Sequence, residues 1–185
     1  ASSVISGVVP QIAVIAGTCA GTAAMLACSS DFVIMTKDSE FFMAPNSSSG
    51  SAEAAAKSGI ASAVCDDDKA AIEKARDLVN ILPVNNLAPV PMFEFAENSP
   101  VSGTDLKSII NSAADADSEI EISAEFGNAS YTGFVTIGGA TAGIAAAGKE
   151  GSKLNSDDCA KLARFMRTCD AFSIPVVTFV NSEGF

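Results

Sequence analysis

A chain of 185 residues, 48% hydrophobic and 18% charged, carries enough apolar material for a real core and is globular rather than disordered. Lys and Arg number 11 against 22 Asp and Glu, giving a net charge of −11 with no long basic cluster, which argues against nucleic acid and anionic membrane surfaces as partners. There is no histidine, so Ser-His and Cys-His nucleophile pairs and His-ligated metal sites are out; catalysis would rest on carboxylates, hydroxyls, thiols, lysines or oriented backbone N–H groups.

Val8 to Ala16 reads as a buried strand entered through Pro10. Gly17-Thr18-Cys19-Ala20-Gly21-Thr22 follows, and Ala23 to Cys28 make a small-residue helix. This strand, glycine turn and helix leave unpaired N–H groups at a helix start, which can bind an anion or stabilise a developing oxyanion. Equally, Gly21 and the alanines can serve only to let helix and sheet pack closely. Neither GxGxxG nor a Walker lysine is present, so there is no nucleotide fingerprint.

Asp31 to Thr36 is a second apolar strand and Glu40 to Met43 a third short one, followed by a Ser/Gly segment over 47–51. Ala52 to Ser58 is a short helical piece and Gly59 to Cys65 a strand. Asp66-Asp67-Asp68 then opens a helix from about Lys69 to Leu82, with Ile72, Ala75, Leu78 and Val79 on its buried face. That aspartate cluster reads as helix-start charge, since no loop of spaced oxygen ligands follows it, and no metal is expected. The proline-rich connector from Leu82 to Pro91 divides the chain into halves, 1–95 and 96–185.

Thr104 to Ala113 is a short helix and Glu119 to Ile122 a strand by alternation. Tyr131 to Ile137 and Ala140 to Ala147, separated by Gly138-Gly139, make a hairpin with a two-residue glycine turn. Ser156 is the expected N-cap of a long amphipathic helix with Asp157 and Asp158 in its first turn. Leu162, Phe165, Met166 and Cys169 form its packed face, while Lys161, Arg164, Arg167 and Asp170 lie largely on the wet one. Pro175 ends this helix, and Val176 to Val180 reads as a strand covered on both faces, with polar Asn181 to Phe185 at its carboxyl end. The five cysteines (Cys19, Cys28, Cys65, Cys159, Cys169) form no CxxC pair and read as reduced core residues. No signal peptide and no apolar run of membrane-spanning length is evident, so a cytoplasmic protein with no membrane insertion is expected.

Val9-Pro10-Gln11-Ile12 running into Gly17-Thr18-Cys19-Ala20-Gly21, then Asp31 to Met35, and finally Cys169-Asp170-Ala171-Phe172-Ser173-Ile174-Pro175-Val176-Val177-Thr178-Phe179-Val180 to Gly184-Phe185, resemble the carboxyltransferase subunits of biotin-dependent acyl-CoA carboxylases and decarboxylases. The resemblance implies an α/β, crotonase-like fold of ββα spirals, with parts of two consecutive spirals here. Residues 1–95 would be the end of the N-terminal, acyl-CoA spiral and 96–185 the start of the C-terminal, biotin spiral. It also implies an acyl-CoA substrate, biotin on a partner carrier protein, a homo-oligomer, and catalysis by backbone N–H groups that stabilise enolates. Gly21 and Thr22 match the family's first oxyanion hole, with Thr22 where that family usually has a second glycine; Cys19 and Ala20 beside them are the substrate-binding candidates. The chain resembles a fragment of a longer subunit or a reduced homologue, since the family's second hole would follow Phe185. The alternative is a non-catalytic crotonase-like assembly module in which Gly21-Thr22 is only a packing turn. The acyl group, and carboxylation as against decarboxylation, are not legible in these residues.

Overall fold

The computed structural model describes residues 2–44, 50–97, 103 and 105–185. Part of the anticipated Ser/Gly segment and Thr104, the start of the anticipated short helix, lie outside them.

After a one-turn helix α1 (Ser2–Ile5), the first half repeats a strand-strand-helix unit. β1 (Ile12–Ile15) and β2 (Thr18–Ala20) lead into α2 (Thr22–Cys28), β3 (Phe32–Thr36) and β4 (Glu40–Phe42) into α3 (Ala52–Lys57), and β5 (Ala63–Cys65) into α4 (Asp68–Ile81). The leading strands pair in parallel as one sheet, β1-β3-β5, and the second strands as another, β2-β4. Each of the first two turns of the chain thus adds a strand to each sheet and the third adds β5 to the first sheet alone, in the manner of the spiral that the resemblance implies. Central β3 is buried along its whole length, which accounts for the unbroken apolar run Phe32 to Met35.

The second half contains α5 (Leu106–Ala113), β6 (Ile120–Glu121), β7 (Ser130–Ile137), β8 (Ala140–Gly151), α6 (Ser156–Ala171) and β9 (Val176–Ser182). β6, β7 and β8 are antiparallel neighbours, and β9 returns through α6 to lie parallel to β8. The hairpin turn falls at Gly138-Gly139 as the glycine pair predicts, with φ of 60° and 80°, the left-handed values that a tight two-residue turn demands. Asp115 holds that turn from beneath: its carboxylate accepts the N–H groups of Gly138 at 2.9 Å and Gly139 at 2.7 Å and the Thr136 hydroxyl at 2.8 Å. Burial pushes the Asp115 carboxyl up, but these three hydrogen bonds outweigh it and leave its pKa below the usual carboxylate value.

One apolar cluster spans both halves. Phe32, Ile34, Leu78 and Ile81 from the first meet Phe134, Phe165, Cys169 and Phe172 from the second. The Phe134 ring lies 5.8 Å from Phe32, edge-on, and 5.0 Å from Phe165. A backbone bond from Ser123 N–H to the Ser62 carbonyl at 2.7 Å ties the two halves beside it.

Several local expectations are corrected. The N-cap of α6 is Asn155, not Ser156: its side chain accepts from Asp157 and Asp158 N–H while Asp158 reaches back to the Asn155 N–H, a reciprocal capping box. Asp158 is itself fully buried, because its second oxygen accepts the Ala129 N–H at 2.9 Å. Lys161 is buried rather than wet, and Met166 is exposed. On α4 the N-cap is Asp67, accepting from Ala70 N–H, and the buried positions are Ala71, Leu78 and Ile81; Ile72 and Val79 are exposed. β9 is covered on one face only, with Val180 74% exposed, and Val14 of β1 is exposed too. The cysteines are free, but only Cys169 is buried, Cys28 and Cys159 being exposed.

The hairpin provides a matched pair of substitutions. At Gly138 an added Cβ meets open space, so Gly138→Ala carries only the left-handed backbone penalty of about 1 kcal/mol. At Gly139 the Cβ also runs into the Phe93 carbonyl oxygen, so Gly139→Ala should cost at least twice as much in a urea unfolding comparison.

Candidate active site

The strand-turn-helix stretch that the sequence singles out forms an open corner at the end of β2. β2 pairs with β4 in the register Cys19 to Phe41 and Ala20 to Phe42, and α2 starts at Thr22. Between them Gly21 adopts φ 57°, ψ −122°, a conformation that is cheap for glycine and strained for any residue with a Cβ. The turn lets the chain leave the ladder and start a helix within one residue.

Of the two N–H groups anticipated as an oxyanion hole, one is engaged. Gly21 N–H donates to the Phe42 carbonyl at 3.1 Å, extending the β2-β4 ladder by one bond. Thr22 N–H stands at the first position of α2, ahead of any helical carbonyl it could reach, and Gly21, Thr22 and Ala23 are all exposed. The structure therefore brings Gly21 and Thr22 together at an accessible helix start but leaves them unequal as donors. Ala20 is exposed beside them. Cys19 is half-buried against the alanine-rich core of the first half, and burial, with Cys28 nearby, pushes its thiol pKa up. That thiol packs against the core cluster and is not activated as a nucleophile.

Sequence reasoning missed a second polar site, between the two halves. A cavity of about 220 Å³ is lined by residues that include Asp31, Lys161 and Arg164. Lys161 is only 4% exposed and donates to the carbonyls of Ser130 at 3.0 Å and Gly127 at 3.5 Å. It forms no ion pair among the described residues. Burial pulls its pKa down to about 8, against the opposing fields of Glu121 and Asp158 and with a minor contribution from Lys149. A signal existed: residues 158, 161, 165 and 169 fall at i, i+3, i+7 and i+11, which puts Lys161 on the same stripe as Phe165 and Cys169.

The carboxyl transferase domain family matches residues 1–185. The chain belongs to that family. Among its relatives, the propionyl-CoA carboxylase beta chain of Roseobacter denitrificans is 33% identical over 97% of this chain and 41% of its own length. The methylmalonyl-CoA carboxyltransferase 12S subunit of Propionibacterium freudenreichii subsp. shermanii is 32% identical over 98% of this chain and 40% of its own. A solved transcarboxylase 12S hexamer, with methylmalonyl-coenzyme A and methylmalonic acid bound, superposes with a TM-score of 0.90 at 31% identity, covering this whole chain and 42% of that one. The fold is thus the crotonase-like carboxyltransferase fold that the strand-strand-helix repeat indicates. This carboxyl transferase chain spans about two fifths of the length of those relatives. The Roseobacter alignment runs over 215 positions, more than the 185 residues of the chain, so the relative carries internal insertions within the matched stretch.

Two outcomes check the site description. Gly21→Ala meets no atom within 4 Å, so its cost is backbone strain alone, about 1–3 kcal/mol in thermal or urea unfolding; a neutral substitution would contradict the ψ of −122°. The Lys161 pKa lies below its ordinary 10.5, so the burial penalty is fully present below pH 8. Between pH 8 and 10.5 the unfolded chain still binds a proton that the native one has released, and stability rises with pH. Unfolding across that window should show the rise in the parent protein and its loss in Lys161→Met.

Proposed function

We propose that this chain is part of a carboxyltransferase component that moves a carboxyl group between biotin, carried on a partner protein, and an acyl-CoA. The observation that carries the reading is the accessible Gly21-Thr22 helix start, set in a fold that superposes on transcarboxylase 12S with a TM-score of 0.90. In this reading the thioester carbonyl lies over the start of α2, where the Thr22 N–H donates to the oxygen as negative charge gathers on it. The donor is fixed by the backbone before the reaction begins, so it costs no reorganisation when the enolate forms. Gly21 supplies the turn that aims it, while Cys19 and Ala20 form the adjoining wall.

Biotin supplies the carboxyl carrier in this scheme. The proposed component works as part of a homo-oligomer, a reading supported by the 12S relative having been solved as a hexamer. It meets a biotin carrier protein in the cytoplasm, with which five free cysteines agree.

One observation favours a second reading, a non-catalytic assembly module: the Gly21 N–H is spent on Phe42, as in a turn that only packs. Calorimetric titration with propionyl-CoA and malonyl-CoA, with free CoA as a control for phosphate contacts, separates the two. The carboxyltransferase reading expects thioester binding that exceeds free CoA and is lost in Gly21→Val. Equal heats for thioester and free CoA, or unchanged binding in Gly21→Val, would overturn the site.

A further inference from the structure

The cavity between the halves is unlike the rest of the molecule in charge. The chain carries 22 acidic residues against 11 Lys and Arg, yet the lining of this cavity holds two cations, Lys161 and Arg164, and one carboxylate, Asp31. Asp31 is not free to neutralise both. One of its oxygens accepts the Gln11 N–H at 2.8 Å; burial raises its pKa, while that bond and the Arg164 field oppose the rise. An ammonium has three N–H donors, and Lys161 spends two on the carbonyls of Ser130 and Gly127. Arg164 spends one long bond, 3.4 Å, on the Gly59 carbonyl. Both cations therefore keep donors for a further acceptor.

The remainder of the lining is of a different kind. Ile122, Phe126 and Phe165 contribute an apolar wall, and the cavity holds about 220 Å³. That is room for a few carbon atoms together with a charged head. An inorganic anion would leave the apolar wall unused, and a neutral alkane would leave the buried Lys161 ammonium with a donor unused, at a cost for that buried polar group.

We propose that this cavity binds a short-chain aliphatic carboxylate, its carboxylate paired with Lys161 and Arg164 and its alkyl chain against Ile122, Phe126 and Phe165. The site is built from both halves, since Asp31 and Gly59 come from the first and the helix residues from the second. Its occupation ties α6 to the loop that precedes β5. The proposal does not depend on the acyl-CoA reading of the Gly21 corner, which uses other residues.

The test is titration of the isotope-labelled protein with propionate, followed by amide shifts, with propanol and propylamine as isosteric controls and sulfate for anion binding alone. The expected result is saturable propionate binding with shifts at Gly59, Ser123 and Phe126 and none at Gly21 to Ala23. Arg164→Gln, whose side chain is exposed, should weaken propionate at least tenfold with an unchanged fold, and Lys161→Met should do the same where unfolding shows it folded. Three results would each overturn the proposal: propylamine or propanol binding as well as propionate, sulfate competing equally, or Arg164→Gln binding propionate as the parent does. Shifts confined to Gly21 to Ala23 would also overturn it, by placing the carboxylate at the other corner.

Discussion

Phe134 is the point on which both halves of the molecule rest. It is fully buried on β7, edge-on to Phe32 of the central first-half strand and tilted against Phe165 of α6. Neither half closes a core by itself around these rings: β3 and α4 cover one side, α6 and the hairpin the other. Removing such a ring costs about 3–5 kcal/mol in a packed core, a large part of the stability of a domain this size. The polar links between the halves follow from that contact. With β7 held against β3, Ser123 comes within reach of the Ser62 carbonyl, while within the first half the Ser62 hydroxyl accepts the Val33 N–H at 3.1 Å.

The same contact explains why a charged pocket exists inside an apolar seam. α6 carries Phe165 and Cys169 into the shared core, and the stripe that does so also carries Asp158 and Lys161. Asp158 is satisfied on both oxygens, by Ala129 and Asn155, and so acts as a pin between the helix start and the chain entering β7. Lys161 then meets the carbonyls of Ser130 and Gly127 where that chain turns, the Gly127 oxygen already accepting from the Ser130 N–H and hydroxyl. The pin and the buried ammonium are one arrangement, and the cavity lies on its open side.

How far the sequence anticipates this depends on how local the cause is. The Gly138-Gly139 hairpin was legible because a two-residue turn needs left-handed residues and two glycines in a row provide them. β3 was legible because burial on both faces removes alternation. The Ser156 cap was misplaced by one residue, since Asn155 and Ser156 are both capable caps and only the return bond from Asp158 decides between them. Lys161 was misread because charge outweighed spacing, although its position on the Phe165 stripe was visible. Val180 and Val14 were misread because a β-branched run shows strand propensity without showing which faces are covered. The Gly21-Thr22 helix start was located from the sequence, but the strand that feeds it is β2 (Thr18–Ala20), which lies inside the stretch read as the glycine turn. What the sequence could not show is the carbonyl of Phe42, twenty-one residues on, which takes up one of the two N–H groups.

That bond changes the energetics asked of the corner. Under the proposed oxyanion role, a single preorganised donor is worth about 2.7–4 kcal/mol in acyl transfer, so Thr22 alone would offer roughly one such contribution rather than two. In exchange, the Gly21 bond to Phe42 locks the angle at which Thr22 N–H leaves the ladder, because β4 and the turn cannot move independently while it persists. A threonine at position 22 is compatible with this, since helical φ and ψ suit it, whereas position 21 holds the positive φ that only glycine adopts cheaply. The demand for glycine therefore falls on the residue that aims the donor and not on the residue that donates. Sequence variation at the second position of such a corner is then tolerable on backbone grounds, and the fixed element is the glycine together with the strand whose carbonyl it engages.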